Sequence, residues 1–175
     1  PGEVVLKPVE QVENIAFGPD PVRSFAAVAF GRVLGKVPPL ALYIRQVPQD
    51  GGLPARQSEP VFTHKGGDVW FEISPIAWTR DGSRYAFATW ERERELLRVY
   101  LGSASETAKP EQVLERRGDV GHEVVNLLRP VFTPDGRSLV LVLDEAGWRQ
   151  PYAIDVQSRQ LRPLVSGAFE AHTVL

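Results

Sequence analysis

The sequence predicts an all-β chain of about three four-stranded antiparallel units, and three observations carry that expectation. A turn motif recurs: Ile76-Ala77-Trp78-Thr79-Arg80-Asp81-Gly82-Ser83-Arg84-Tyr85-Ala86-Phe87 is echoed by Val131-Phe132-Thr133-Pro134-Asp135-Gly136-Arg137-Ser138-Leu139-Val140-Leu141. A degraded copy reads Ile15-Ala16-Phe17-Gly18-Pro19-Asp20-Pro21-Val22-Arg23-Ser24-Phe25-Ala26. The motif aspartates Asp20, Asp81 and Asp135 are 61 and 54 residues apart, and self-similarity at that length marks a radial or solenoid array. No segment carries a sustained helical stripe. Each copy reads as an aromatic-ended strand, a tight turn and an apolar strand, which is half of a β-propeller blade. The expected architecture is therefore a partial β-propeller, open at both ends.

Taken in order, the first period offers a strand ending at Phe17, then Leu40–Arg45 and Pro60–Thr63. Proline cannot take positive φ, so the turn at Asp20-Pro21 must differ from the other two. Two long loops, Gly31 to Pro39 and Pro48 to Ser58, account for most of the longer spacing. In the second period strands are expected over 76–79, 84–90, 96–101 and 111–114. The Asp81-Gly82 dipeptide between apolar runs is a hairpin signal, because glycine tolerates the positive φ that primed turns require. The third period repeats the plan over 131–133, 138–144, 151–156 and 161–165. Its run Ser138 to Leu143 is apolar without alternation, as expected for a strand covered on both faces. Two segments also fit a helix: Val9, Val12, Ile15 and Ala16 have roughly helical spacing, and Pro110 could open a short helix through Arg117.

The blades are thus expected at about 12–65, 73–116 and 128–167. Residues 1–8, with Glu3-Val4-Val5-Leu6, read as the end of a preceding blade, and 168–175 as the start of a following one. Closed propellers usually need at least about four blades. Three would leave two apolar faces open, and such faces usually mark an interface. The chain is expected to pair with further blades or to self-associate.

Composition narrows the function classes. The chain has 175 residues, 43% of them hydrophobic, enough for one substantial core. A net charge of −2 and the lack of a basic cluster interleaved with aromatics argue against a nucleic-acid partner. No apolar run approaches 18 residues, so no membrane role is expected, and a soluble chain of the cytoplasm, periplasm or exterior fits. Absence of cysteine excludes disulfides and thiolate metal sites. Methionine is absent even at position 1, which fits a chain that is processed or cut from something longer.

The segment Gly147-Trp148-Arg149-Gln150-Pro151-Tyr152-Ala153-Ile154-Asp155-Val156, followed by Gln160-Leu161-Arg162-Pro163-Leu164-Val165-Ser166-Gly167-Ala168-Phe169-Glu170, resembles the N-terminal propeller of dipeptidyl peptidase IV-like serine peptidases of the prolyl oligopeptidase family. A blade there typically reads Gly-Trp, a short gap, Tyr-x-x-Asp, then Leu-Thr-x-Gly with an aromatic and Glu. Here Pro151 replaces an apolar residue, and Val165-Ser166 stands where Leu-Thr is common. The close match runs from Pro130 to Leu175, and the Asp-Gly motif is shared with TolB-like propellers. The resemblance implies a non-catalytic propeller that gates peptide access to a separate α/β-hydrolase domain with a Ser-Asp-His triad. The alternative is a TolB-like propeller that binds another protein, with no enzyme attached. The Gly-x-Ser-x-Gly nucleophile elbow of such hydrolases does not occur in this chain, so no catalytic residue is assigned and whether the parent protein is an enzyme stays open.

Prolyl-specific members also set an adjacent glutamate pair against the substrate's amino terminus. The nearest acidic group here is Glu91-Arg92-Glu93-Arg94-Glu95, which lacks that adjacency. Period-two alternation would put Glu91, Glu93 and Glu95 on one strand face and the two arginines on the other. That face could hold a substrate ammonium, although alternating charges at a hairpin are ordinarily solvated. His64, His122 and His172 are 58 and 50 residues apart, which is no metal-ligand spacing, so neither metal nor cofactor is expected. Trp78 and Phe132 occupy equivalent repeat positions and read as blade-core anchors. Trp148 reads as packing at a blade edge rather than facing a central channel.

Overall fold

The structure, a computed structural model, describes residues 11–18, 24–30, 39–46, 59–104, 107–118, 129–145 and 147–171. Three antiparallel sheets follow one another along the chain. The first has β1 (Gln11–Phe17), β2 (Ser24–Phe30), β3 (Leu40–Gln46) and β4 (Phe62–His64), in that order. The second contains β5 (Phe71–Ile73), β6 (Ala77–Trp78), β7 (Arg84–Glu91), β8 (Leu96–Ser103) and β9 (Glu111–Arg117). The third has β10 (Val131–Phe132), β11 (Ser138–Asp144), β12 (Arg149–Asp155) and β13 (Leu161–Pro163), again in chain order. Among the described residues the only helical element is a 3-10 turn at Arg92–Arg94, and no helix is long and apolar enough to cross a membrane.

The second sheet has five strands rather than four because its first strand is broken. Both β5 and β6 pair with β7, one on each side of Ser74-Pro75-Ile76. Pro75 has no N–H to donate and interrupts the ladder. Ser74 repairs it: its N–H donates to the Ala88 carbonyl at 2.9 Å, and its hydroxyl accepts the Ala88 N–H at 2.9 Å. The strand expected at 76–79 is thus the second half of a longer, kinked one.

Both helical alternatives are overturned over the described residues, outside which Val9 lies. Val12, Ile15 and Ala16 lie on β1, paired with β2, and residues 111–117 form β9 against β8. Ladder pairing outweighs weak local spacing, since helix propensity is only a prior that tertiary context overrides. The strand expected in residues 3–6, the turn at Asp20-Pro21 and the end of the chain from 172 lie outside the described residues.

The middle sheet shows how the repeat builds a stack. Side chains alternate across a strand. Tyr85 and Phe87 of β7 join Val28, Leu40, Leu42 and Ile44 of the first sheet in one core. Ala86, Ala88 and Trp90 face the other way, into a core shared with Leu139, Leu141, Leu143, Tyr152 and Ile154 of the third sheet. Both faces of β7 are buried, which explains its lack of polar alternation. Fully burying a side chain of this size contributes about 1.5–3 kcal/mol, so sheet-to-sheet packing supplies much of the stability. Trp78 packs partly buried on the first of these cores and Phe132 is buried in the second, at equivalent places in successive sheets.

The outward side of the third sheet is not bare at its centre, where Val140, Val142 and Ala153 are buried. Among the described residues of this sheet, large exposed apolar groups lie at its margin, at Trp148, Leu164, Val165 and Phe169. There the chain returns along β12: the Leu164 N–H reaches the Pro151 carbonyl at 2.9 Å and the Ala171 N–H the Arg149 carbonyl at 2.7 Å. Gln150, itself buried, donates to the Gly167 carbonyl, and Arg149 pairs with Glu170 at 3.1 Å.

The two intact motif turns are alike, and neither is the primed two-residue hairpin expected of an Asp-Gly dipeptide. In the first, the Gly82 N–H donates to the Thr79 carbonyl at 2.9 Å and the Thr79 N–H to the Arg84 carbonyl at 3.0 Å. Gly82 alone takes positive φ, 68°, as Gly136 does at 67° in the second, whereas a type I′ turn needs it at two central residues. The threonine before each aspartate completes the device. Thr79 Oγ1 donates to Asp81 at 2.6 Å and accepts the Arg84 N–H at 3.0 Å. Thr133 does the same with Asp135 and the Ser138 N–H, at 2.6 and 3.0 Å.

Candidate functional site

The acidic run at 91–95 does not form one continuous strand face. Glu91 closes β7, Arg92–Arg94 wind into the 3-10 turn, and Glu95 sits in the left-handed region at φ 47° before β8 begins. A helical turn has a period near three rather than two, so the expected separation of three glutamates from two arginines is lost. The three carboxylates have separate environments.

Glu91 is only 4% exposed. Its carboxylate is paired with Arg94 at 2.7 Å and with Arg98, whose guanidinium also reaches Glu115 at 3.0 Å. A buried carboxylate must be paired, and here the pairing ties the 3-10 turn to β8 and β9. Glu93 is exposed and accepts the backbone N–H of Trp70 at 2.6 Å. Glu95 is exposed, and its backbone links Arg92 to Gly118.

These bonds fix Trp70, which sequence reasoning passed over. Its carbonyl accepts the Arg92 N–H at 3.0 Å, and its indole N–H donates to Glu72 at 2.6 Å. The residue is nevertheless 51% exposed. The result is an aromatic ledge with every polar edge engaged and its surface open, flanked by the Glu72 and Glu93 carboxylates. Such a ledge suits a cation, which an indole face attracts. A hint existed in the sequence: Trp70 lies off the repeat position of Trp78 and two residues before Glu72.

His64, the only histidine among the described residues, borders this corner from the first sheet. Its ring stacks on Phe71, with centroids 3.7 Å apart and planes 9° from parallel. Its Nδ1 accepts the Gly66 N–H at 3.1 Å. Burial lowers its pKa first, opposed by the Glu91 charge and reinforced by Arg94 and Arg98, so it is held neutral as a packing ring. His122 and His172 lie outside the described residues, and among those described no three carboxylate or imidazole groups gather as metal donors. Trp148 is exposed at the margin of the third sheet.

No protein-family model matches the chain, and no curated protein does. Solved structures do. The chain aligns with a putative dipeptidyl aminopeptidase IV from Bacteroides ovatus at a TM-score of 0.60 and 14% identity, over 87% of this chain and 26% of that one. It aligns with TolB from Acinetobacter baumannii at 0.55 and 20% identity, over 91% and 33%. It also aligns with the periplasmic gluconolactonase PpgL of Pseudomonas aeruginosa at 0.52 and 15% identity, over 96% and 42%. The fold is that of a β-propeller. The three sheets are an open portion of one, spanning between about a quarter and two fifths of those structures. At these identities the likeness concerns the fold alone, and it reaches both the dipeptidyl peptidase IV-like and the TolB propellers that the motifs resemble.

Proposed function

We propose that this chain is the non-catalytic propeller portion of a dipeptidyl peptidase IV-like serine peptidase, limiting peptide access to a separate α/β-hydrolase domain. The observation that carries the reading is the blade motif from Gly147 to Glu170, whose Gln150–Gly167 and Arg149–Glu170 contacts fold the segment back on β12. The alignment with the dipeptidyl aminopeptidase supports it. In this reading a substrate ammonium meets Glu93 and Glu72 beside Trp70. Glu91 holds the corner from inside, and Glu95 shapes the backbone that leaves it. The partners are peptide substrates, the remaining blades and the hydrolase domain.

The decisive test is the reading frame beyond Leu175. A downstream domain carrying Gly-x-Ser-x-Gly and labelled by a fluorophosphonate supports the proposal. Further blades followed by a stop codon refute it and leave the second reading, a TolB-like module that binds another protein. That reading is favoured by the exposed apolar margin of Trp148, Leu164, Val165 and Phe169, and by the TolB alignment.

A further inference from the structure

A cleft lies at the opposite end of β7 from Trp70, between the Asp81 and Asp135 turns. It encloses about 1260 Å³ where the second and third sheets splay apart. We propose that this cleft binds an extended acidic peptide segment.

The argument is an inventory of donors and acceptors. Besides Arg159, which is paired with Glu111, four basic side chains line the cleft: Arg80 and Arg84 at the Asp81 turn, Lys109 from the loop before β9, and Arg137 at the Asp135 turn. All four are exposed, and none enters an ion pair with any described residue. The four acidic groups beside them keep their charge, so the lining carries five positive and four negative side chains, but each acid already accepts hydrogen bonds. Asp81 accepts from the Thr79 hydroxyl and from the N–H and hydroxyl of Ser83. Asp135 accepts from the Thr133 hydroxyl and the Arg137 N–H. Asp155 accepts from the Gln157 and Ser158 N–H groups and the Ser158 hydroxyl. Glu111 is paired with Arg159 at 2.5 Å.

The bonds to Asp81, Asp135 and Asp155 all fall on Oδ1 and leave acceptor capacity on each. An arginine, however, carries five donors and a lysine three, so the unused capacity of the cleft is mainly donor. Charged donors on both walls fit carboxylates. The chain as a whole carries −2, so attraction of an acidic ligand is local to this cleft. Leu101 and Val156 also line the cleft but are buried in the core behind it, so recognition rests on the charged rim. The volume exceeds the roughly 300–1,000 Å³ common for small-molecule pockets, which suits several residues of peptide rather than one small anion.

Fluorescence anisotropy of a labelled (Glu-Leu)4 peptide with the full-length protein tests this, with (Gln-Leu)4 and (Lys-Leu)4 as comparisons. The glutamate peptide should bind at least about tenfold more tightly than the glutamine one and weaken in high salt, since exposed charge pairs are screened. The double substitution Arg84→Glu/Arg137→Glu should remove that preference with an unchanged melting temperature. Arg162→Glu, outside the cleft, should leave it intact. Should the charge reversal lower the melting point, Arg84→Gln/Arg137→Gln serves instead, with about a threefold or greater loss expected. Equal affinity for the glutamate and glutamine peptides, or full retention of binding in both double variants, would overturn the proposal. So would inorganic phosphate displacing the peptide at equal concentration, which would make the site a small-anion pocket.

Discussion

Replacing Gly102 with alanine tests the packing of the middle sheet most directly. Gly102 lies on β8 opposite Tyr85 of β7. A Cβ placed there would stand 2.2 Å from Tyr85 Cζ and 2.5 Å from its hydroxyl oxygen. Ordinary contact begins at 3.4 Å, so the ring would have to move by about 1.2 Å within a close-packed interior. Tyr85 has no room to move: it is fully buried, nearly parallel to the Phe87 ring and tilted by 54° against Trp78. Overpacking of this kind costs about 1–3 kcal/mol, and the rigid ring puts the expected loss in the upper half of that range. For a domain of this size, roughly 4–12 °C in melting temperature follows.

The sign is what makes the experiment sharp. Gly102 is not in the left-handed region, and a glycine inside a strand is otherwise weaker than alanine by about 0.5–1 kcal/mol. In a Tyr85→Leu background, where the ring is gone, Gly102→Ala should therefore turn neutral or stabilising. Urea unfolding of the four proteins, followed by tryptophan fluorescence, gives the coupling energy. Additive effects, or a Gly102→Ala protein as stable as the parent, would refute the packing described for Tyr85.

Three further outcomes follow from individual contacts. Ser74→Ala should cost about 1–3 kcal/mol, because it leaves the buried Ala88 N–H without its acceptor; chemical denaturation reads this. Tyr85→Phe should be neutral or stabilising by up to about 1 kcal/mol, since the hydroxyl is buried with no partner. Burial also raises the Tyr85 pKa. The folded state thus holds its proton more tightly than the unfolded one, so stability should fall as pH rises above about 10. It should fall less steeply in Tyr85→Phe, where partly buried Tyr100, its pKa also raised by burial, remains. Hydrogen bonds from Thr79 and Ser83 hold the Asp81 carboxyl at about 2, below its ordinary 3.8. Its contribution is complete above pH 3.8 and fades as pH falls toward 2, and Thr79→Val should move the carboxyl upward in an NMR titration.

The fold was legible because its signals are local and repeated. An apolar run such as Ser138 to Leu143 says that a strand is covered twice, and the structure places it with Leu139, Leu141 and Leu143 on one packed face and Val140 and Val142 buried on the other. Repetition of Asp81-Gly82 and Asp135-Gly136 located the turns, but it misidentified their type. The dipeptide is compatible with a primed hairpin, and only the threonine two residues earlier, bonded to its aspartate, distinguishes the wider turn. The break at Pro75 was equally hidden, since a proline before an apolar run also reads as the start of a strand.

The site was less legible for a reason rooted in the backbone. Alternation along Glu91 to Glu95 has meaning only while the chain stays extended, and a single 3-10 turn erases it. What replaces it depends on tertiary contacts that no local pattern encodes. Arg98 reaches back across the hairpin to Glu91, and Glu93 crosses 23 residues to meet the Trp70 N–H. The five-residue run therefore divides its labour. Glu91 anchors the corner, Glu93 positions an aromatic ring contributed from elsewhere, and Trp70 adds an exposed indole beside the exposed charges of 92–95. Charge patterning marked the right corner of the blade, but it gave no sign of the exposed indole that Glu72 and Glu93 hold in place there.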